Sequence, residues 1–241
     1  MRLELTFQLK ENFITIDDRA CIMSFLKFAL SKKYPDIFQA LYGENCSKAF
    51  CFSTYLPGAR FKGDRYQLSD SYISVKISSS DNQLLMALYN SLMGARFIDY
   101  KLPLSNEFKL TKVSYSNIPT IKTNKALIKF LSPLLVRDHD RETNKDMYLD
   151  YTSQDFPDKL QTITQNYLMQ RGYTDCNVNL IPVKASRTVA TCLGLKLNCS
   201  YGIFEINAPP QVIDELYLAG IGSRRNQGFG MFDIIRQGQE V

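Results

Sequence analysis

One order of local periods occurs twice along these 241 residues, and it constrains the fold more than any single residue does. Leu3, Leu5, Phe7 and Leu9 alternate with polar neighbours, the period-2 pattern of a strand with one buried face. Asp17 and Asp18 then cap a helix with Ile22, Phe25, Leu26, Ala29 and Leu30 at helical spacing, ending before Pro35. Residues 48–56 and 71–78 read as strands. Asp81 caps an apolar helical run through Leu84, Leu85, Leu88 and Leu92, and 107–115 returns as a strand. After Pro119 the order begins again. Residues 126–136 form an extended run in which Pro133 marks a bulge or an edge. Asp155 and Pro157 open a helix with Leu160, Ile163, Tyr167 and Leu168 on one face. Residues 177–183 and 193–206 read as strands, Pro209 and Pro210 open a short helix, and 229–235 closes as a strand. The duplication is one of architecture rather than of residues. It predicts an α+β protein of two tandem ferredoxin-like (βαββαβ) domains, 1–119 and 120–241.

Each half is long enough to bury its own core. A hydrophobic content of 45% with 22% charged residues describes a globular chain. The net charge of +5 is compatible with a nucleic-acid partner and equally with a solvated surface. Cysteines at 21, 46, 51, 176, 192 and 199 form no Cys-x-x-Cys pair, and His139 is the only histidine, so neither zinc nor another cofactor is expected. Buried, reduced thiols are the simpler reading. Without an apolar leader or an 18-residue apolar span, the expectation is a cytoplasmic protein with no membrane partner.

Between the last helix and the last strand runs Gly220-Ile-Gly-Ser-Arg-Arg-Asn-Gln-Gly-Phe-Gly230. It is neither a dinucleotide fingerprint, since only eleven residues follow it, nor a Walker loop, since no Gly-Lys-Ser or Gly-Lys-Thr closes it. Gly220, Gly222, Gly228 and Gly230 would let the backbone approach a polyanion while Arg224 and Arg225 face it. Asn226 and Gln227 would add backbone or base contacts. The plainer reading is a helix C-cap followed by a turn.

This loop, in this order of elements, resembles the repeat-associated RNA-binding (RAMP) proteins of CRISPR systems, and among them the Cas6 endoribonucleases. Lys48-Ala-Phe-Cys-Phe-Ser53 is similar to a run on the second strand of many Cas6 proteins, and Ser132-Pro-Leu-Leu-Val-Arg137 resembles the run that opens their second domain. The resemblance spans the whole chain. It implies metal-free cutting of the CRISPR precursor transcript within each repeat. The partner would be repeat RNA, bound by a monomer or homodimer.

Such cleavage uses the 2′-hydroxyl as nucleophile and leaves a 2′,3′-cyclic phosphate and a 5′-hydroxyl. It needs a base, an acid and positive charge on the phosphorane. Many Cas6 proteins place a histidine between the first helix and the second strand, where this chain has none. By offset Tyr42 stands there, and a phenol can act as the acid. Lys48 would stabilise the phosphorane, and Lys27 would hold the scissile phosphate or, if desolvated, serve as base. Lys32, Lys33 and Tyr34 are reserves. His139, amid Arg137, Asp138, Asp140 and Arg141, reads as a solvated loop histidine. Arg60, Lys62 and Arg65 would form a second basic surface against RNA or, more simply, a mobile charged connection. Two alternatives stay open: a non-catalytic RNA-binding RAMP subunit among the other subunits of a CRISPR effector complex, and an unrelated module that binds a small anion or a protein.

Overall fold

The structure is a computed structural model that describes residues 1–43, 48–140 and 142–238; Cys46 and Arg141 lie outside the described residues. The chain divides into two compact units, one of Met1–Ile118 with Thr191–Leu195, the other of Pro119–Ala190 with Lys196–Val241.

The first unit runs β1 (Arg2–Leu9), β2 (Phe13–Thr15), α1 (Asp18–Lys33), α2 (Pro35–Tyr42), β3 (Phe50–Tyr55), β4 (Arg60–Lys62), β5 (Arg65–Gln67), β6 (Tyr72–Ser79), α3 (Asn82–Gly94), β7 (Asp99–Lys101) and β8 (Glu107–Ser116). Its main sheet has the order β3-β6-β1-β8-β7. Stripped of the edge strand β7, this is the antiparallel order of a ferredoxin-like domain, with α1 and α3 as its two helices. Asp17 and Asp81 cap those helices through hydrogen bonds to the Ala20 and Leu84 amides. The alternating residues of β1 are buried as their pattern requires. Phe7 meets Phe25 of α1 edge-on at 5.2 Å and Phe108 of β8 at 4.6 Å. Each such fully buried ring contributes about 1.5–3 kcal/mol.

The second unit runs β9 (Lys125–Phe130), β10 (Val136–Asp140), β11 (Lys145–Leu149), α4 (Phe156–Gln170), β12 (Asn179–Cys192), β13 (Leu195–Asn207), α5 (Pro210–Ala219), a 3₁₀ turn (Arg225–Gln227) and β14 (Phe232–Gln237). Its main sheet, β12-β13-β9-β14, is again ferredoxin-like. Phe130, Phe204 and Phe232 pack at its centre, Phe130 lying 5.4 Å from Phe204 and 6.1 Å from Phe232.

Three expectations are corrected. The run 126–136 is not one strand: β9 ends at Phe130, Leu134 makes an isolated bridge to Ser200 of the main sheet, and the chain then forms the β10–β11 hairpin. The strand read at 177–183 runs on to Cys192 as the long β12, and the one read at 193–206 is β13, which begins at Leu195. Arg60, Lys62 and Arg65 lie on a three-stranded sheet, β2-β5-β4, rather than on a loose connection. The cysteines at 21, 51, 176, 192 and 199 are buried, and burial pushes the Cys21 thiol up to about 12.

Candidate functional site

Pro35 ends α1 and then serves as the first residue of α2, where its missing N–H costs nothing. This short helix carries Tyr42 on its last turn. Lys27, exposed on α1, places its ammonium 4.6 Å from the centre of the Tyr42 ring. Lys48, half-buried just before β3, places its own 5.4 Å from the same centre. Residues proposed from three separated stretches of sequence are thus neighbours. Each cation over a ring face adds about 0.5–1 kcal/mol and holds the tyrosine in place. Burial pushes the Tyr42 hydroxyl up to about 12, so at neutral pH it keeps its proton. A protonated phenol beside two ammonium groups can donate a proton and neutralise an anion. The reserves are committed elsewhere: Lys33 Nζ donates to the Asn90 carbonyl at 3.1 Å, and the Tyr34 hydroxyl accepts from Asn90 Nδ2 at 3.2 Å.

The glycine-rich loop sits between α5 and β14 and departs from what its composition suggests. Gly220, Gly222, Gly228 and Gly230 are all buried. A methyl group at Gly230 would lie 1.9 Å from the Ile221 carbonyl oxygen, and one at Gly222 would lie 2.6 Å from that of Leu135. The close approach that these two glycines permit is to the chain's own backbone. Amides turn inward as well: Ser223 donates to Leu135, Gly230 to Pro133 and Ile221 to Gly230. The expectation of a glycine backbone laid against a polyanion is therefore corrected. What the loop offers solvent comes from half-buried Ser223, Arg224, Asn226 and Gln227.

Its two arginines differ. Arg225 is only 6% exposed, lies 3.6 Å over the Tyr167 ring and donates to the Gly220 carbonyl, so the expectation that it faces an anion is also corrected. Tyr167 in turn donates to the Glu215 carboxylate, which also pairs with Arg171 at 3.4 Å. Arg225 thereby fastens the loop to α4 and α5. Arg224 holds a left-handed backbone (φ 52°) unusual for a non-glycine residue and points to the β10–β11 hairpin. There its Nη2 donates to the Tyr148 hydroxyl at 2.8 Å, which donates to Asp146 Oδ2 at 3.1 Å. Asp146 also binds Arg137 at 2.7 Å and His139 Nδ1 at 2.8 Å. The Arg137 guanidinium, with His139 and Tyr148, holds the Asp146 carboxyl far below the usual range. His139 is thus strand-borne and paired, not a loose loop residue. Sequence reading missed Asp146 and Tyr148, because nothing local marks the hairpin that brings them to Arg224.

In the first unit Arg60 and Lys62 are exposed on β4, while Arg65 binds Asp64 at 2.9 Å and covers the Phe13 ring at 4.6 Å. Among the described residues no group of three His, Cys, Asp or Glu side chains is arranged to hold a metal ion, and no helix is long and apolar enough to cross a membrane.

Both units are thus ferredoxin-like, and the glycine-rich loop leads into the last strand of the second. Residues 116–234 match the C-terminal family of the CRISPR-associated protein Cas6. No curated relative matches the sequence. Among solved structures the fold is that of a RAMP protein described as binding different RNA substrates (TM-score 0.85, 18% identity, 98% of this chain and 100% of that one). It is also that of a Cas6-related protein from Pyrococcus furiosus (TM-score 0.86, 20% identity, 99% of each chain). A Cas6 product complex shares it at lower similarity (TM-score 0.67, 15% identity, 98% of this chain and 100% of that one).

Proposed function

We propose that this protein is a metal-independent endoribonuclease that cuts CRISPR precursor RNA within its repeats in the cytoplasm, with residues 1–119 carrying the cleavage and 120–241 gripping the RNA. The convergence of Lys27 and Lys48 on Tyr42 carries this reading. The 2′-oxygen attacks the adjacent phosphorus, its proton passes to solvent, and the bond to the 5′-oxygen breaks. Tyr42 gives its proton to that leaving oxygen and regains one from water. Lys48 and Lys27 balance the charge of the phosphorane. Lys27, exposed beside the Tyr42 ring, holds the scissile phosphate.

Incubation with the cognate repeat RNA in excess EDTA tests the proposal. Wild type should make one cut, Tyr42→Phe and Lys48→Ala should each slow it about 100-fold or more, and a deoxynucleotide upstream of the cut should bind and stay intact. Cutting of the deoxy substrate, or full activity in both variants, would end this mechanism.

Tyr42 also gives the pH dependence a sign. Its folded-state value of about 12 lies above the ordinary value near 10, so its contribution to stability is whole below pH 10 and lost as the pH rises toward 12. Urea melts on either side of that window should show the loss, and Tyr42→Phe should show less of it.

One observation favours a second reading. The only histidine of the chain is engaged with Asp146 in the second unit, leaving none in the first. A RAMP protein that binds repeat RNA without cutting it, as a subunit of an effector complex, would show tight binding and no product in the same assay.

A further inference from the structure

The small sheet β2-β5-β4 has two unlike faces. In its register Phe61 pairs with Tyr66, Lys62 with Arg65 and Arg60 with Gln67, while Ile14, Tyr66 and Thr15, Arg65 pair on the other side. Strand alternation puts Ile14, Tyr66 and Phe61 on one face and Thr15, Arg65, Gln67, Arg60 and Lys62 on the other. Along the first face burial fades outward. Ile14 is in the core, Tyr66 is half-buried, and Phe61 is 67% exposed, touching Tyr66 edge-to-face at 6.3 Å. A phenylalanine left this exposed forgoes about 1.5–3 kcal/mol of burial. The two cations beside it are uncommitted: among the described residues neither Arg60 nor Lys62 has an ion-pair partner, whereas Arg65 is held by Asp64. Because β4 is the outer strand, its edge is open and both faces are reached around it.

We infer that Phe61 is a stacking platform for one unpaired base of the RNA, with Arg60 and Lys62 on the neighbouring phosphates. This deepens the RNA-binding reading and rests on it. Every base has a face that stacks on an aromatic ring, but in a duplex those faces are already covered, so the ribbon distinguishes unpaired from paired RNA. A single ring framed by cations is too small to anchor a protein partner, whose interface buries on the order of 1,000 Å² or more.

The test is titration of wild type, Phe61→Ala, Phe61→Leu and Phe61→Tyr with labelled repeat RNA, unpaired and annealed to its complement, after thermal melts confirm intact folding. Phe61→Ala and Phe61→Leu should weaken unpaired RNA about 5- to 150-fold and leave the duplex unchanged, and Phe61→Tyr should bind like wild type. The inference alone falls if wild type binds RNA but Phe61→Ala matches it, if Phe61→Leu restores binding, or if duplex binding drops equally. A wild type that is dimeric and an alanine variant that is monomeric would make the ring a protein contact instead. A wild type that binds neither RNA would remove the RNA-binding reading itself.

Discussion

At Gly63 and Gly230 the backbone takes nearly the same left-handed turn, φ 68° and 69°, yet an added methyl group would meet nothing within 4 Å at the first and a carbonyl oxygen at 1.9 Å at the second. The contrast extends to the regions around them. On the β4–β5 ribbon Arg60 and Lys62 stand exposed at the sheet's edge, while in the glycine-rich loop Arg225 lies over Tyr167 and even Arg224 is tied to Tyr148. Both stretches read as basic and turn-rich. Only one of them is an open surface ribbon; the other is a packed joint whose arginines serve mainly to hold its shape.

Substitutions that separate conformation from packing test this difference most severely. Gly230→Ala should cost about 3 kcal/mol or more, since backbone must move, and show as loss of soluble protein or a collapsed melting temperature. Gly63→Ala should cost only about 1–2 kcal/mol, the conformational share alone. Equal losses at the two sites would erase the distinction. Next, Arg225→Ala should destabilise by about 2–3 kcal/mol in denaturant melts, against about 1 kcal/mol or less for Arg224→Ala. The RNA affinity of still-folded protein should fall for Arg224→Ala and hold for Arg225→Ala, and the reverse pattern would show that the loop's buried arginine, not its rim, meets the ligand. The smallest effect concerns salt. Removing Arg60 or Lys62 should lower the slope of log affinity against log salt by about 0.7 each for unpaired RNA with stability unchanged.

The element order was legible because the pattern at Leu3 to Leu9 and the leucines after Asp81 state their periods locally. What was missed lacks such a local statement. In α2 no residue is fully buried, so its apolar Ile37, Phe38 and Leu41 mark no core face, and Pro35 reads as an end although it is also a beginning. The β10–β11 hairpin is built from Arg137, Asp138, His139 and Asp140 opposite Tyr148, Met147, Asp146 and Lys145, polar pairs that only the register reveals. Of the candidate site, Tyr42 was reached by its offset from a strand motif, Lys48 by standing in that motif, and Lys27 by its place on the first helix. The burial of Arg225 did not, because an arginine beside glycines reads as surface until Tyr167, from a distant helix, is placed beneath it.

The inward-turned amides of the glycine-rich loop bear on how it behaves in time. Ser223 and Gly230 are fixed to carbonyls of the Pro133–Leu135 segment, so the loop cannot peel away without detaching the chain that leads into β10. In heavy water these amides should therefore exchange with the core of the second unit, through its cooperative unfolding, and not through local opening. A stretch that composition marks as the most pliable in the chain would be among the last to take up deuterium.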